Sequence, residues 1–232
     1  MVGHTGVILA LDSLPDACRE LECLGKLISM FDGVKVGLPL LLREGTKLLR
    51  DIAKLAQRAG VLGVADFKLA DIGDIMSSSL EAIAELSYSV AIVHAFVGVR
   101  GGLEVLVDKA SKLGVNVALL ISMSHEGSKE FYDKHFNEFL KMARELGVWG
   151  VVVPATKPHL ISEARTVLGN SAKILSPGVG VQGAKYGTAI CHGANYEIVG
   201  RSVVRAPDPF RVAGEVISEV EKEVRACHTN SV

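Results

Sequence analysis

The chain is marked first by what it lacks. Its 232 residues carry almost no excess charge of either sign, with a formal net charge of −1. That leaves no basic field for nucleic acid and no polybasic surface for a membrane. No apolar run approaches the length of a membrane span. Asp12 arrives too soon for a signal peptide's apolar region and cleavage site, so a cytoplasmic location is expected. The four cysteines, Cys18, Cys23, Cys191 and Cys227, contain no Cys-x-x-Cys and lie scattered. Reduced thiols are the expected state. No linker, composition break or low-complexity segment divides the chain, and a single domain over residues 1–232 is expected.

What is present is a repeating alternation. Short β-branched runs at Val7–Leu11, Gly33–Val36, Val61–Lys68, Ser89–His94, Val115–Ser122, Val148–Val153, Ala172–Ser176 and Tyr196–Gly200 read as strands. Between them apolar residues recur at helical spacing, as in Leu41, Leu48, Ile52 and Leu55, or Phe136, Phe139, Leu140 and Ala143. A final helix is expected over Pro209–Ala226. Eight strand–helix units, each about 29 residues long, predict an α/β fold, a single (β/α)8 TIM barrel. A doubly wound open sheet is the alternative. Its Gly-x-Gly-x-x-Gly fingerprint is missing, because the first strand runs into Leu11-Asp12-Ser13.

In a barrel the chemistry gathers at the carboxyl ends of the strands. Asp66-Phe67-Lys68-Leu69-Ala70-Asp71 puts two carboxylates and an ammonium there, directly after an apolar run. Strand alternation turns Asp66 and Lys68 to one face and leaves Asp71 in the following loop. A surface ion pair is the plain alternative. The remaining strand ends add Asp12, Lys35, His94, Ser122, Ser124, Gln182 and Arg201. Interleaved lysines compete with any Mg²⁺ for the carboxylates, so no metal is expected. Ser124 and His125 are sequence neighbours and rarely face each other, which argues against nucleophilic catalysis, and His94 between Val93 and Ala95 reads as a packed structural residue. What remains is a lysine kept protonated by carboxylates, an acid able to deliver a proton to carbon. A carboxylate beside it would repel a negative substrate group and favour its departure.

The seventh and eighth strands are followed by Ser176-Pro177-Gly178-Val179-Gly180-Val181-Gln182-Gly183 and Val199-Gly200-Arg201-Ser202. These are the usual phosphate-binding positions of a barrel, where glycine N–H groups approach the ligand. Gln182 can donate hydrogen bonds and Arg201 can grip phosphate oxygens in pairs. The first segment also suits a mobile lid. The alternative is a pair of connecting turns.

These residues resemble the orotidine 5′-phosphate decarboxylase family, and its compact archaeal form most. The likeness runs in order through Ile8–Asp12, Lys35–Gly37, Asp66–Asp71, Val93–Phe96, Ser122–His125, Ser176–Gly183 and Val199–Ser202. The resemblance implies cofactor-free decarboxylation of orotidine 5′-phosphate to uridine 5′-phosphate in pyrimidine biosynthesis. It implies that Lys68 protonates C6, that Asp66 presses against the substrate carboxylate, and that Lys35 links Asp66 to the ribose beside Asp12. Ser124 would bond the pyrimidine, while Pro177, Gln182, Gly200 and Arg201 would complete the substrate site. Asp71 would serve the neighbouring subunit of a homodimer.

One segment departs from the family's usual Asp-Ile-Pro-x-Thr: here Asp71-Ile72-Gly73-Asp74-Ile75 stands. Ile75 is given no binding role. Gly73 is what the related 3-keto-gulonate 6-phosphate decarboxylases and hexulose-phosphate synthases would carry, enzymes that use Mg²⁺ to hold an enediolate. Their glutamate ligand on the second strand is replaced here by Lys35, which cannot bind a metal while protonated. A phosphate sensor without chemistry is a third reading, opposed by the intact Asp66, Lys68 and Asp71.

Overall fold

Side-chain alternation along each short run decides the architecture. In the computed structural model, which describes residues 6–229, the strands are β1 (Val7–Leu11), β2 (Gly33–Gly37), β3 (Leu62–Leu69), β4 (Val90–His94), β5 (Asn116–Leu120), β6 (Gly150–Val152), β7 (Lys173–Pro177) and β8 (Tyr196–Val199). They pair in parallel in chain order, and β8 closes on β1. The fold is a (β/α)8 barrel, and the open sheet is excluded. The helices are α1 (Leu21–Ile28), α2 (Leu38–Ala59), α3 (Gly73–Glu85), α4 (Glu104–Leu113), α5 (Phe136–Glu145), α6 (Pro158–Leu168), α7 (Thr188–Cys191), α8 (Arg201–Val204) and α9 (Pro209–Thr229). None of the described helices is long and apolar enough to cross a membrane.

Two apolar layers follow from the alternation. Val7, Leu9 and Leu11 of β1, with Val34 and Val36 of β2, face outward against the helices. Ile8, Ala10, Val64, Val90, Ile92, Ala118, Leu120, Val152, Leu175 and Ile198 fill the barrel interior. Burying such side chains is worth about 1.5–3 kcal/mol each, which commits every strand to its phase. One further step of two residues then carries Asp12, Asp66, His94, Ser122, Pro177 and Gly200 to the inner rim.

The outer layer also holds a buried carboxylate. Glu197 of β8 is fully buried, and its carboxylate accepts the N–H groups of Gly187 and Ala189 at 2.8 Å each. It thereby satisfies the otherwise orphaned donors at the start of α7. Burial raises its pKa, and those backbone donors oppose the rise.

The cysteines correct the expectation of reduced thiols. Cys18 is bonded to Cys23, and Cys191 to Cys227. The second bridge spans 36 positions of sequence and ties α7 to the C-terminal helix α9. Residues scattered along the chain meet because the barrel's closure places its last helices side by side.

Candidate active site

The inner rim of the barrel holds the charge cluster. On β2, Val34 and Val36 face the helices, so Lys35 between them points into the barrel, and only 6% of it is exposed. Asp66, 8% exposed, lies across from it. Lys35 Nζ stands 3.0 Å from Asp66 Oδ2 and 3.3 Å from Asp12 Oδ1. Lys68 Nζ donates to Asp66 Oδ1 at 2.8 Å. Both oxygens of Asp66 are therefore engaged by ammonium groups. Burial works to raise the Asp66 pKa, but Lys35 and Lys68 outweigh it and hold the carboxyl below its ordinary range. Lys35 is likewise pushed down by burial, and Asp66 and Asp12 carry it above its ordinary value. By linkage, the stability these ions contribute is lost when pH falls through the depressed Asp66 pKa.

Asp66 and Lys68 meet as expected, by a different route from simple pleating. The β3–β4 register shifts between Ala65 and Leu69, and Lys68 takes a left-handed backbone with φ of 50°. A bulge of this kind re-aims a side chain near a site. Gly37 makes room on the other flank: a Cβ there would lie 2.0 Å from Asp12 Oδ1.

The pocket above this cluster is lined by Asp12, Lys35, Asp66, Lys68, Ser122, Ser124, Pro177, Gln182, Gly200 and Arg201. Its floor is apolar, formed by Ala10, Ile92, Leu120, Val152 and Ile198. The residues after β7 and β8 thus share one cavity with the lysine cluster. Gly178, Gly180 and Gly183 hold positive φ, so the 178–183 loop needs them to turn. Tyr186 at the end of that loop donates to Ser202 Oγ at 3.0 Å, joining the loop to α8.

Two expected residues stand apart. Asp71 is exposed and does not line the pocket of its own chain, and its Oδ1 accepts the N–H of Ile72 at 2.7 Å. His94 is half-buried, pairs through Nδ1 with the Tyr132 hydroxyl, and packs against Phe96. Burial, and then Lys68, lowers its pKa. A packed, neutral histidine is the role this supports.

Gly73 has a steric reason. A Cβ there would lie 2.8 Å from the Gly101 carbonyl oxygen, 3.0 Å from that of Gly102 and 2.6 Å from Val105. The start of α3 is pressed against the 101–105 segment, so this glycine reflects packing and carries no sign of sugar-phosphate chemistry. Ile75 is exposed and lies away from the pocket lining.

Sequence reasoning missed a second charged pair. Lys157 is 9% exposed and donates to Asp133 Oδ2 at 2.6 Å. The β6 end was the one strand end given no polar residue, and Lys157 follows it; that gap was the available signal.

Comparison with known proteins bears on family and fold. The family model described as orotidine 5′-phosphate decarboxylase / HUMPS family matches residues 5–216. An orotidine 5′-phosphate decarboxylase from Aeropyrum pernix is 45% identical over 206 residues, covering 88% of this chain and 83% of that protein. The crystal structure of orotidine 5′-monophosphate decarboxylase from Sulfolobus solfataricus superposes with a TM-score of 0.84 at 34% identity, covering 94% of this chain and 99% of that one. The enzyme from Methanocaldococcus jannaschii, solved in complex with the inhibitor BMP, gives 0.79 at 31% identity, covering 93% and 98%.

Proposed function

The chain belongs to the orotidine 5′-phosphate decarboxylase / HUMPS family, and from that membership we propose that it converts orotidine 5′-phosphate to uridine 5′-phosphate without metal or cofactor. The observation that carries the choice within the family is Lys35. A buried ammonium bridging Asp12 and Asp66 stands where an enediolate enzyme needs a metal-binding carboxylate, and the ammonium groups on both Asp66 oxygens compete with Mg²⁺ for them.

In the proposed reaction the bond from C6 to the carboxylate breaks and CO₂ departs. The bonding pair stays on C6 and takes a proton from Lys68 Nζ; the neutral amine is then reprotonated from solvent. Asp66, held ionised by its two lysines, faces the substrate carboxylate and disfavours the ground state. Lys35 and Asp12 hold the ribose, Ser124 bonds the pyrimidine, and Pro177, Gln182, Gly200 and Arg201 receive the phosphate end. Phosphate contacts remote from C6 supply binding energy for orientation and for closing the 178–183 loop as a lid. The working location is the cytoplasm, with one barrel domain over residues 1–232. Disulfides do not exclude that location, since some intracellular proteins carry them.

The direct test is the loss of orotidine 5′-phosphate's ultraviolet absorbance on adding purified protein with chelator present. Metal-dependent turnover of a sugar phosphate, with none of the nucleotide, would sink the reading.

The active unit is proposed to be a homodimer in which Asp71 completes the partner's site. The exposure of Asp71 outside its own pocket supports this, as do Ile72 and Ile75 beside it, left 64% and 51% exposed. Subunit mixing checks it. Lys68→Ala and Asp71→Ala proteins, each inactive alone, are unfolded together in equal amounts and refolded. A two-fold dimer would then recover about a quarter of the wild-type activity, since half the dimers are hybrids with one intact site. No recovery would place Asp71 within its own subunit's chemistry.

A further inference from the structure

We infer that Lys157 and Asp133 are positioning residues that set the pyrimidine-facing wall of the pocket. The inference rests on the reading of Ser124 as the base-contacting residue and extends it to two side chains absent from the pocket lining. That wall is the segment Ser122-Met123-Ser124, which leaves the end of β5 and lines the cavity. Such a segment has no strand partner to fix it, so its backbone groups must be held from elsewhere.

The structure holds both sides of Met123. Its N–H donates to Ser128 Oγ at 3.1 Å, and its carbonyl oxygen accepts from Lys157 Nζ at 2.7 Å. The two anchors are joined through Asp133. Asp133 Oδ1 accepts the hydroxyls of Ser122 and Ser128, each at 2.8 Å. Asp133 Oδ2 takes Lys157 Nζ at 2.6 Å, and Lys157 also reaches Ser122 Oγ at 3.4 Å. Every polar group of the cluster finds a partner, and fully satisfied networks of this kind rigidify their surroundings. With both peptide planes around Met123 fixed, the Cα of Ser124 has one position at the mouth of the pocket.

Removing the cation would unclamp the Met123 carbonyl and leave Asp133 without its counter-ion. The lysine cluster on β2 and β3 would be untouched, because no bond joins it to this network among the described residues. The effect should therefore fall on base recognition more than on proton transfer.

A double-mutant cycle with Ser124 tests this, read by steady-state decarboxylation of orotidine 5′-phosphate and by thermal unfolding. Lys157→Met should raise KM about tenfold or more and change kcat by less than about threefold, as expected when a binding interaction is lost. Ser124→Ala should raise KM about tenfold in the wild-type background, yet less than about twofold in the Lys157→Met background, because the two act as one unit. Should Lys157→Met fail to fold, Asp133→Asn, nearly the same size, enters the same cycle with the same expected coupling. Independent, multiplying effects of the two substitutions would overturn the inference, as would an unchanged KM in a folded variant. Each of those results leaves wild-type turnover, and so the assigned reaction, intact. Absence of wild-type turnover would overturn both.

Discussion

Lys68→Ala is expected to abolish decarboxylation while leaving a folded protein that still binds uridine 5′-phosphate. The separation of the two effects follows from the charge network. Asp66 keeps Lys35 at 3.0 Å when Lys68 is lost, so the buried carboxylate retains a counter-ion and the fold survives. In the reaction proposed above, however, C6 loses its proton donor. A positioned general acid contributes about 10²–10⁴ in rate, and in that proposed reaction Lys68 also places positive charge where the carbanion develops. A fall in kcat of at least about 10⁴-fold is therefore expected from the two effects together. Stopped absorbance assays at saturating substrate measure the loss, and titration with uridine 5′-phosphate measures retained binding. A variant keeping a tenth of wild-type turnover would mean that another group protonates C6.

The second large effect concerns stability. Replacing both Cys191 and Cys227 by serine is expected to lower stability by about 4 kcal/mol, since a bridge closing a loop of this length removes much entropy from the unfolded chain. For a chain of this size that corresponds to roughly 10 °C in melting temperature. The Cys18–Cys23 bridge encloses a separation of only 5 positions, so its removal should have the smaller effect, about 2 kcal/mol. Neither pair lines the pocket, and turnover at moderate temperature should persist. Scanning calorimetry of oxidised protein and the double-serine variant, with a thiol titration of the denatured wild type, checks this. Equal melting temperatures, or reactive thiols in the unreduced wild type, would refute the stabilising role.

These outcomes bear on what the sequence could disclose. The barrel was legible because short β-branched runs alternate eight times with helical patterns, and side-chain alternation along each strand carries Asp12, Asp66 and Ser122 inward just beyond the apolar floor. Lys35 was legible for the same reason, as a lone cation between two valines. The disulfides were not, because pairing across 36 positions depends on which helices the closed barrel makes adjacent. Lys157 and Asp133 come from the connections after β6 and β5, and neither sits in a run whose period reveals a partner. Gly73 shows the converse: a residue type that looked like a marker of chemistry is explained by the carbonyls of Gly101 and Gly102 pressed against it.

The left-handed backbone of Lys68 has an evolutionary consequence. A lysine at φ of 50° bears about 1–2 kcal/mol that glycine would escape. With Lys68 as the proposed proton donor, drift toward greater robustness at this position runs toward loss of turnover. Under that assignment selection holds the residue against a standing thermodynamic incentive to lose it, and screens that reward heat resistance alone would enrich for inactive descendants here.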